Sequence, residues 1–193
     1  MGKLVVSEFV TVDGVMEDPG GGESFDRGGW AFQVERGPDG DAYKMDELLE
    51  AEALLLGRVT YQGFASAWPT VKDDVGFADK MNGMPKYVVS TTLKDPEWNN
   101  STVINGDVVG EIRKLKQRHA GNILVAGSAT LVATLVEHDL IDGYRLMVYP
   151  IVLGTGKRLF KDTNAPKAAM KLVEAKPVGS GGVVVLTYER AGD

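Results

Sequence analysis

The stretch NILVAGSATLVATLVEHDLIDGYRLMVYPIVLGTGKRLF, Asn122 to Phe160, decides the fold. It opens on an apolar run, Ile123-Leu124-Val125-Ala126, and turns at Gly127-Ser128. Leu131, Val132, Leu135 and Val136 then recur at helical spacing on one face. Ser128 stands at the N-cap position just ahead of that face. After Asp142-Gly143 a second apolar run, Leu146 to Leu153, closes on Gly154-Thr155-Gly156. Strand, glycine turn, helix, strand is a crossover unit, which usually sets its two strands parallel in one sheet. The turn matters most for chemistry. A glycine between a strand end and a helix start lets backbone N–H groups approach an anion, and the helix dipole favours negative charge there. The bland alternative is a tight turn with no ligand.

Working outward, the same logic recurs upstream. Leu54-Leu55-Leu56 reads as a short buried strand, and Gly57-Arg58-Val59-Thr60-Tyr61 as a glycine turn into a helix. Two such turns make an anion site more plausible than either alone. Arg58 can grip a phosphate bidentately, and the Thr60 hydroxyl adds a donor near the helix start. Neither turn is a full GxGxxG fingerprint, so a Rossmann dinucleotide site is not indicated. Lys86 to Leu93 is strand-like and ends in three hydroxyl residues, Ser90, Thr91 and Thr92. These could bond a ribose or its phosphate, or serve only as β-formers.

The first strand runs from Lys3 to Val12, and Asp13-Gly14 turns it. From Asp13 to about Gly40 the chain is rich in breakers, with Phe25, Trp30 and Phe32 set among the glycines. A loop this long is either a surface excursion pinned by those aromatics or a lid that folds over a ligand. Asp41 to Ala53 and Asp107 to His119 have helical patterns, and Lys72 to Met84 holds a shorter one around Phe77 to Met81. Thr102 to Ile104 is a short strand. Phe160 to Pro166 is expected to be loop. Met170 to Val178 and Val183 to Glu189 flank the turn Gly179-Ser180-Gly181-Gly182 and form a closing hairpin. Alternating β and α followed by an antiparallel ending implies a mixed sheet with helices on both faces.

The composition excludes several function classes. The 193 residues fit one domain, spanning 1–193, and carry a net charge of −6. That balance argues against binding the backbone of nucleic acid. No cysteine is present, which removes disulfides, thiolate catalysis and zinc–cysteine sites. His119 and His138 sit far apart at helix ends, so no metal site is expected. The N-terminus lacks a signal-peptide core and no apolar run reaches membrane-spanning length, so a cytoplasmic location is expected. Asp41, Asp46, Glu47 and Glu50 lie on the helix before the Gly57 turn. Most read as solvated charges, but one facing a pocket could protonate a substrate nitrogen, directly or through water.

These residues also carry a family resemblance. Leu54 to Tyr61 resembles the strand-GRxT-helix segment of dihydrofolate reductases. Leu140-Ile141-Asp142 with Tyr149 to Phe160 resembles the closing motif of the reductase domain in the bifunctional riboflavin-biosynthesis deaminase–reductase, and Val12-Asp13-Gly14 matches that domain's opening motif. The chain is similar, from Lys3 to Glu189, to single-domain dihydrofolate reductase-like proteins of that family. The resemblance implies a three-layer α/β/α sandwich with a mainly parallel sheet and a C-terminal antiparallel hairpin. It implies NADPH as cofactor, with Gly57, Arg58 and Thr60 on its phosphates and Ser90 and Thr91 at the adenosine ribose or its 2′-phosphate. Gly127, Ser128, Ala129, Thr130 and Leu131 would hold the pyrophosphate and nicotinamide side. Asp41 has the separation from Gly57 of the folate reductase acid and is the implied catalytic residue, with Asp46 behind it. The implied activity is hydride transfer to a pteridine- or pyrimidine-like acceptor by a homodimer; the alternative is a binding or regulatory module that kept the cofactor fold without turnover. One departure stands in the central turn: Ala126-Gly127 replaces the family's two consecutive glycines.

Overall fold

The structure is a computed structural model that describes residues 1–161 and 167–191. Part of the expected loop from Phe160 to Pro166 therefore lies outside the described residues. One eight-stranded sheet organises the chain. In sequence order its strands are β1 (Lys3–Thr11), β2 (Ala51–Gly57), β3 (Lys86–Val89), β4 (Ser101–Ile104), β5 (Asn122–Val125), β6 (Gly143–Tyr149), β7 (Met170–Val178) and β8 (Val183–Arg190). In space they run β4-β3-β2-β5-β1-β6-β8-β7. The first six positions pair in parallel. β8 joins β6 antiparallel and β7 closes the edge antiparallel to β8. This is the mixed sheet with a terminal hairpin that the alternation of elements predicts.

The helices are α1 (Gly37–Leu49), α2 (Arg58–Ala67), α3 (Phe77–Gly83), α4 (Val108–Arg118) and α5 (Ala129–Glu137). Strands covered on both faces read as unbroken apolar runs, and Leu54, Leu55 and Leu56 of β2 are all buried. Their alternation splits the core in two. Val5, Leu54, Leu56 and Leu124 pack with Leu48 of α1, Tyr61 of α2 and Met81 of α3. Leu4, Val6, Leu55, Ile123 and Val125 pack on the other face with Ile112 and Leu115 of α4 and Leu131, Val132 and Leu135 of α5. A third cluster, around Trp30, Met147, Tyr149 and Val185, covers the antiparallel end.

β5 and β6 are parallel, as the crossover implies, but they are not neighbours, because β1 lies between them. That insertion creates the feature that positions the site. The connection leaving β2 passes through α2 toward β3 on one side, and the connection leaving β5 passes through α5 toward β6 on the other. The two connections diverge on opposite faces, so the topology sets a crevice at the carboxyl ends of β2 and β5. In open α/β sheets such a topological switch point is where ligands bind.

Element boundaries move in physically sensible ways. α1 starts at Gly37 rather than Asp41, with Pro38 in its first turn, where the missing N–H costs nothing. β3 ends at Val89, short of the hydroxyl run. The Asp13–Gly40 loop contains a short 3-10 turn, Trp30–Gln33. It is pinned to the body of the sheet by Trp30, which is fully buried against Met147, Tyr149 and Val185, while its indole N–H donates to the Glu17 carbonyl within the loop at 2.8 Å. Glu17 pairs with Lys157, and Arg27 donates to the Leu153 carbonyl. Phe32, expected to help anchor the loop, is 83% exposed.

Candidate functional site

The two glycine turns meet at the switch point. The Gly57 N–H donates to the Gly127 carbonyl at 3.0 Å, joining the end of β2 to the turn after β5. No side chain fits between them. A Cβ on Gly57 would lie 2.4 Å from Ser128 Oγ, and one on Gly127 would lie 2.6 Å from Thr60 Oγ1. Gly127 also has φ +78°, in the left-handed region that favours glycine. Thr60 of α2 and Ser128, the N-cap residue of α5, thus stand against the opposite turn. The Ser128 hydroxyl makes no capping bond to α5, contrary to the usual role of an N-cap serine.

The other expected cofactor residues surround this contact. Arg58, the first residue of α2, is exposed, and its guanidinium donates to Gln62 Oε1 at 2.9 Å. In the first turn of α5, Ala129 and Leu131 are buried in the core, whereas Thr130 faces solvent. Val89 pairs with Gly57, so Ser90 and Thr91 follow directly on the strand beside the crevice. Ser90 is buried and its Oγ accepts the N–H groups of Thr92 at 3.1 Å and Leu93 at 2.9 Å. Thr91 is exposed. The expected grouping from Gly57 to Leu131 is therefore brought together in space.

The catalytic expectation is not brought with it. Asp41 is 67% exposed, and its Oδ1 accepts from Arg36 Nε at 2.7 Å. Asp46 is exposed as well. The inward carboxylate of α1 is Glu47, only 2% exposed. Its Oε2 accepts from the Ser7 hydroxyl at 2.7 Å and from the Lys44 ammonium, which also donates to Ser7 Oγ at 2.7 Å. Glu47 Oε1 is buried without a partner.

A second acid reaches the turn itself. Glu8 projects from the opposite face of β1, and its carboxylate accepts the Gly127 N–H. The residue is half-buried. Burial pushes this carboxyl up to about 8, against the Gly127 N–H and the Lys44 ammonium, which pull it down; Glu47 adds to the rise. Sequence reasoning passed over both Ser7 and Glu8. The signal available was two adjacent polar residues inside the apolar run Leu4 to Val10, on a strand that lies centrally in a parallel sheet.

Around this centre the Asp13 carboxyl fastens the opening motif to the closing one. It accepts from the Thr11 hydroxyl at 2.6 Å, from Leu153 N–H at 3.2 Å and from Gly154 N–H at 2.8 Å. These donors, Thr11 first, hold it at about 2. Among the described residues no group of acids and histidines is disposed to hold a metal, and no helix is long and apolar enough to cross a membrane. His119 is not the surface residue its helix-end position suggests: it bonds the Tyr87 hydroxyl at 3.1 Å and Glu52 at 3.1 Å.

Known proteins resemble this chain in sequence or in fold. The uncharacterized protein YwjB of Bacillus subtilis (strain 168) is 30% identical over 190 residues, 98% of each chain. A solved structure from Shewanella sp. PV-4, named for riboflavin biosynthesis, superposes with a TM-score of 0.77 at 19% identity, over 98% of this chain and 99% of that one. Dihydrofolate reductase from Enterococcus faecalis, solved with NADP(H), superposes with a TM-score of 0.58 at 14% identity, over 98% of this chain and 97% of that one. The family model of the RibD C-terminal domain matches residues 2–184. With its sheet order, its hairpin and its paired glycine turns, the chain has the dihydrofolate reductase-like fold and belongs to the RibD C-terminal domain family.

Proposed function

We propose that the protein is an NADPH-dependent reductase that transfers hydride to a pteridine- or pyrimidine-like acceptor, in the manner of 5-amino-6-(5-phosphoribosylamino)uracil reductase. The observation that carries the reading is the joining of the two glycine turns at the switch point, Gly57 N–H to Gly127 carbonyl. Two helix N-termini converge there, with Arg58 at one and Ser128 at the other. Backbone dipoles and a guanidinium together suit the phosphates of a dinucleotide. The residues at the two turns fit this group, because the helix N-termini, the Thr60 and Ser128 hydroxyls and the Arg58 guanidinium offer it donors and positive charge. Arg58, Thr60 and the N-terminus of α5 would hold the phosphates, Ser90 and Thr91 the adenosine ribose. The bound cofactor would supply the hydride, and the protein would orient it and exclude water.

Calorimetric titration with NADPH tests the reading. Binding at micromolar cofactor is expected, and no binding at millimolar cofactor would overturn it. Arg58→Ala should weaken NADPH by about tenfold, the loss of one charge-assisted contact. It should leave folding stability nearly unchanged, because Arg58 is exposed and its side chain bonds Gln62, its neighbour on the same helix. The exposed, Arg36-paired Asp41 favours a second reading, a cofactor-binding module without turnover. NADPH oxidation with 7,8-dihydrofolate, a flavin or the phosphoribosylaminouracil would remove that reading. A homodimer formed by this cytoplasmic protein belongs to the same proposal; a monomer mass in sedimentation would reject it.

A further inference from the structure

We propose that Glu8 is the proton donor that accompanies hydride transfer in this crevice. The inference rests on the reductase reading and gives that reaction an acid. Its geometric basis is the placement of Glu8. The side chain leaves β1, the strand inserted between β5 and β6, and its carboxyl touches the Gly127 N–H in the turn where the cofactor's reactive side is proposed to lie. β5 pairs with β1 only as far as Val6, so Glu8 stands past the end of β5, at the mouth of the crevice.

The surrounding charges divide the labour between two carboxyls. Glu47 is held beside the Lys44 ammonium and the Ser7 hydroxyl. Glu8 is half-buried, with the backbone N–H of Gly127 as the donor on its carboxyl. A carboxyl that keeps its proton at neutral pH beside a bound substrate can serve as a general acid. Glu8 is such a group: its carboxyl, pushed up to about 8, keeps its proton at neutral pH. The charged groups acting on it come from α1, Lys44 and Glu47. Arg145 of β6, opposite Ser7, is tied to Glu50. The strand residue opposite Glu8 is Leu146, and the turn itself presents the Gly127 N–H with the Thr60 and Ser128 hydroxyls.

The acceptor class is a conjugated C=N or C=O on a planar heterocycle or its ribosyl side chain. Hydride from the dihydronicotinamide forms a C–H bond at the acceptor carbon, and the π electrons move to the heteroatom. That atom takes the proton from the Glu8 carboxyl. The O–H electrons stay on Glu8 as carboxylate, the cofactor leaves as NADP⁺, and water returns the proton to Glu8 before the next turnover.

Glu8→Gln separates the proton from the contact, because a carboxamide oxygen can still accept the Gly127 N–H. The experiment measures NADPH oxidation with 7,8-dihydrofolate and with the phosphoribosylaminouracil, alongside NADPH titration, for the wild type and Glu8→Gln. Loss of the acid should lower kcat about 100-fold or more, with the NADPH Kd within about threefold of wild type. The wild-type kcat should fall as pH rises through about 8, and the residual rate of the variant should be flat there. A residue with a merely structural role would change Kd and stability and leave the pH profile alone, and that result overturns the inference. Wild-type turnover that Glu8→Gln retains overturns it as well. No wild-type turnover with either acceptor would fail the reductase reading and this inference together.

Discussion

Position 127 tolerates only glycine for two separate reasons. Its φ of +78° would cost alanine about 1–2 kcal/mol, and the new Cβ would meet Thr60 Oγ1 at 2.6 Å. Gly57 has ordinary φ, so its constraint is space alone, against Ser128. Gly57→Ala should therefore cost about 1–3 kcal/mol through its clash with Ser128, and Gly127→Ala more, because backbone strain adds to its clash with Thr60; urea melts on the two variants check this. Lys86 makes a different single-residue case. Its ammonium is fully buried and donates to the carbonyls of Asn82 at 2.9 Å, Met84 at 2.8 Å and Asn99 at 2.9 Å, beneath the Trp98 ring. Lys86→Met removes three hydrogen bonds and leaves the buried Met84 carbonyl without that donor, and should cost about 1–3 kcal/mol in a denaturant melt. The two glycines were legible in the sequence because glycine between strand and helix has few other uses. Glu8 was not: its partner is 119 residues away, and a lone acid in a strand reads as a solvated side chain until the topology buries it.

Among the elements, the strands and helices follow from periodicity, and the errors sit at their ends. Ser90 looked like the end of a strand but starts a turn, because its hydroxyl takes the N–H groups of Thr92 and Leu93. Asp41 looked like an acid near the start of a helix but lies a full turn inside it, facing out to Arg36. Spacing along the chain gives a residue's distance from Gly57 and says nothing of which way a helix is rotated. The long loop reads in sequence as an excursion or a lid; in the structure it is docked through Arg27 on the Leu153 carbonyl and Glu17 on Lys157. Asp13 fastens the strand end beside that docking. Asp13→Ala removes three hydrogen bonds from the 11–154 junction, and trypsin cleavage at Arg27 should quicken about tenfold, the effect of one or two lost net hydrogen bonds. The Asp13 carboxyl, held at about 2 against an ordinary 3.8, contributes fully above about pH 4. Its contribution fades as pH falls toward 2.

At the scale of the molecule, Glu8 couples proton binding to folding with the opposite sign. The unfolded carboxyl loses its proton near 4.5 and the folded one near 8. Between these values the folded state binds more protons, so stability falls as pH rises across that window. Urea melts from pH 5 to 8 should show this decline, and Glu8→Gln should flatten it.

The peptide hydrogen bond from Gly57 to Gly127 also makes one amide proton a clock. It is the strap across the switch point, so the walls cannot part there without releasing it. Deuterium exchange at Gly57 N–H therefore times the breathing of the crevice, and a dinucleotide bridging both walls should slow that clock by the factor its occupancy sets.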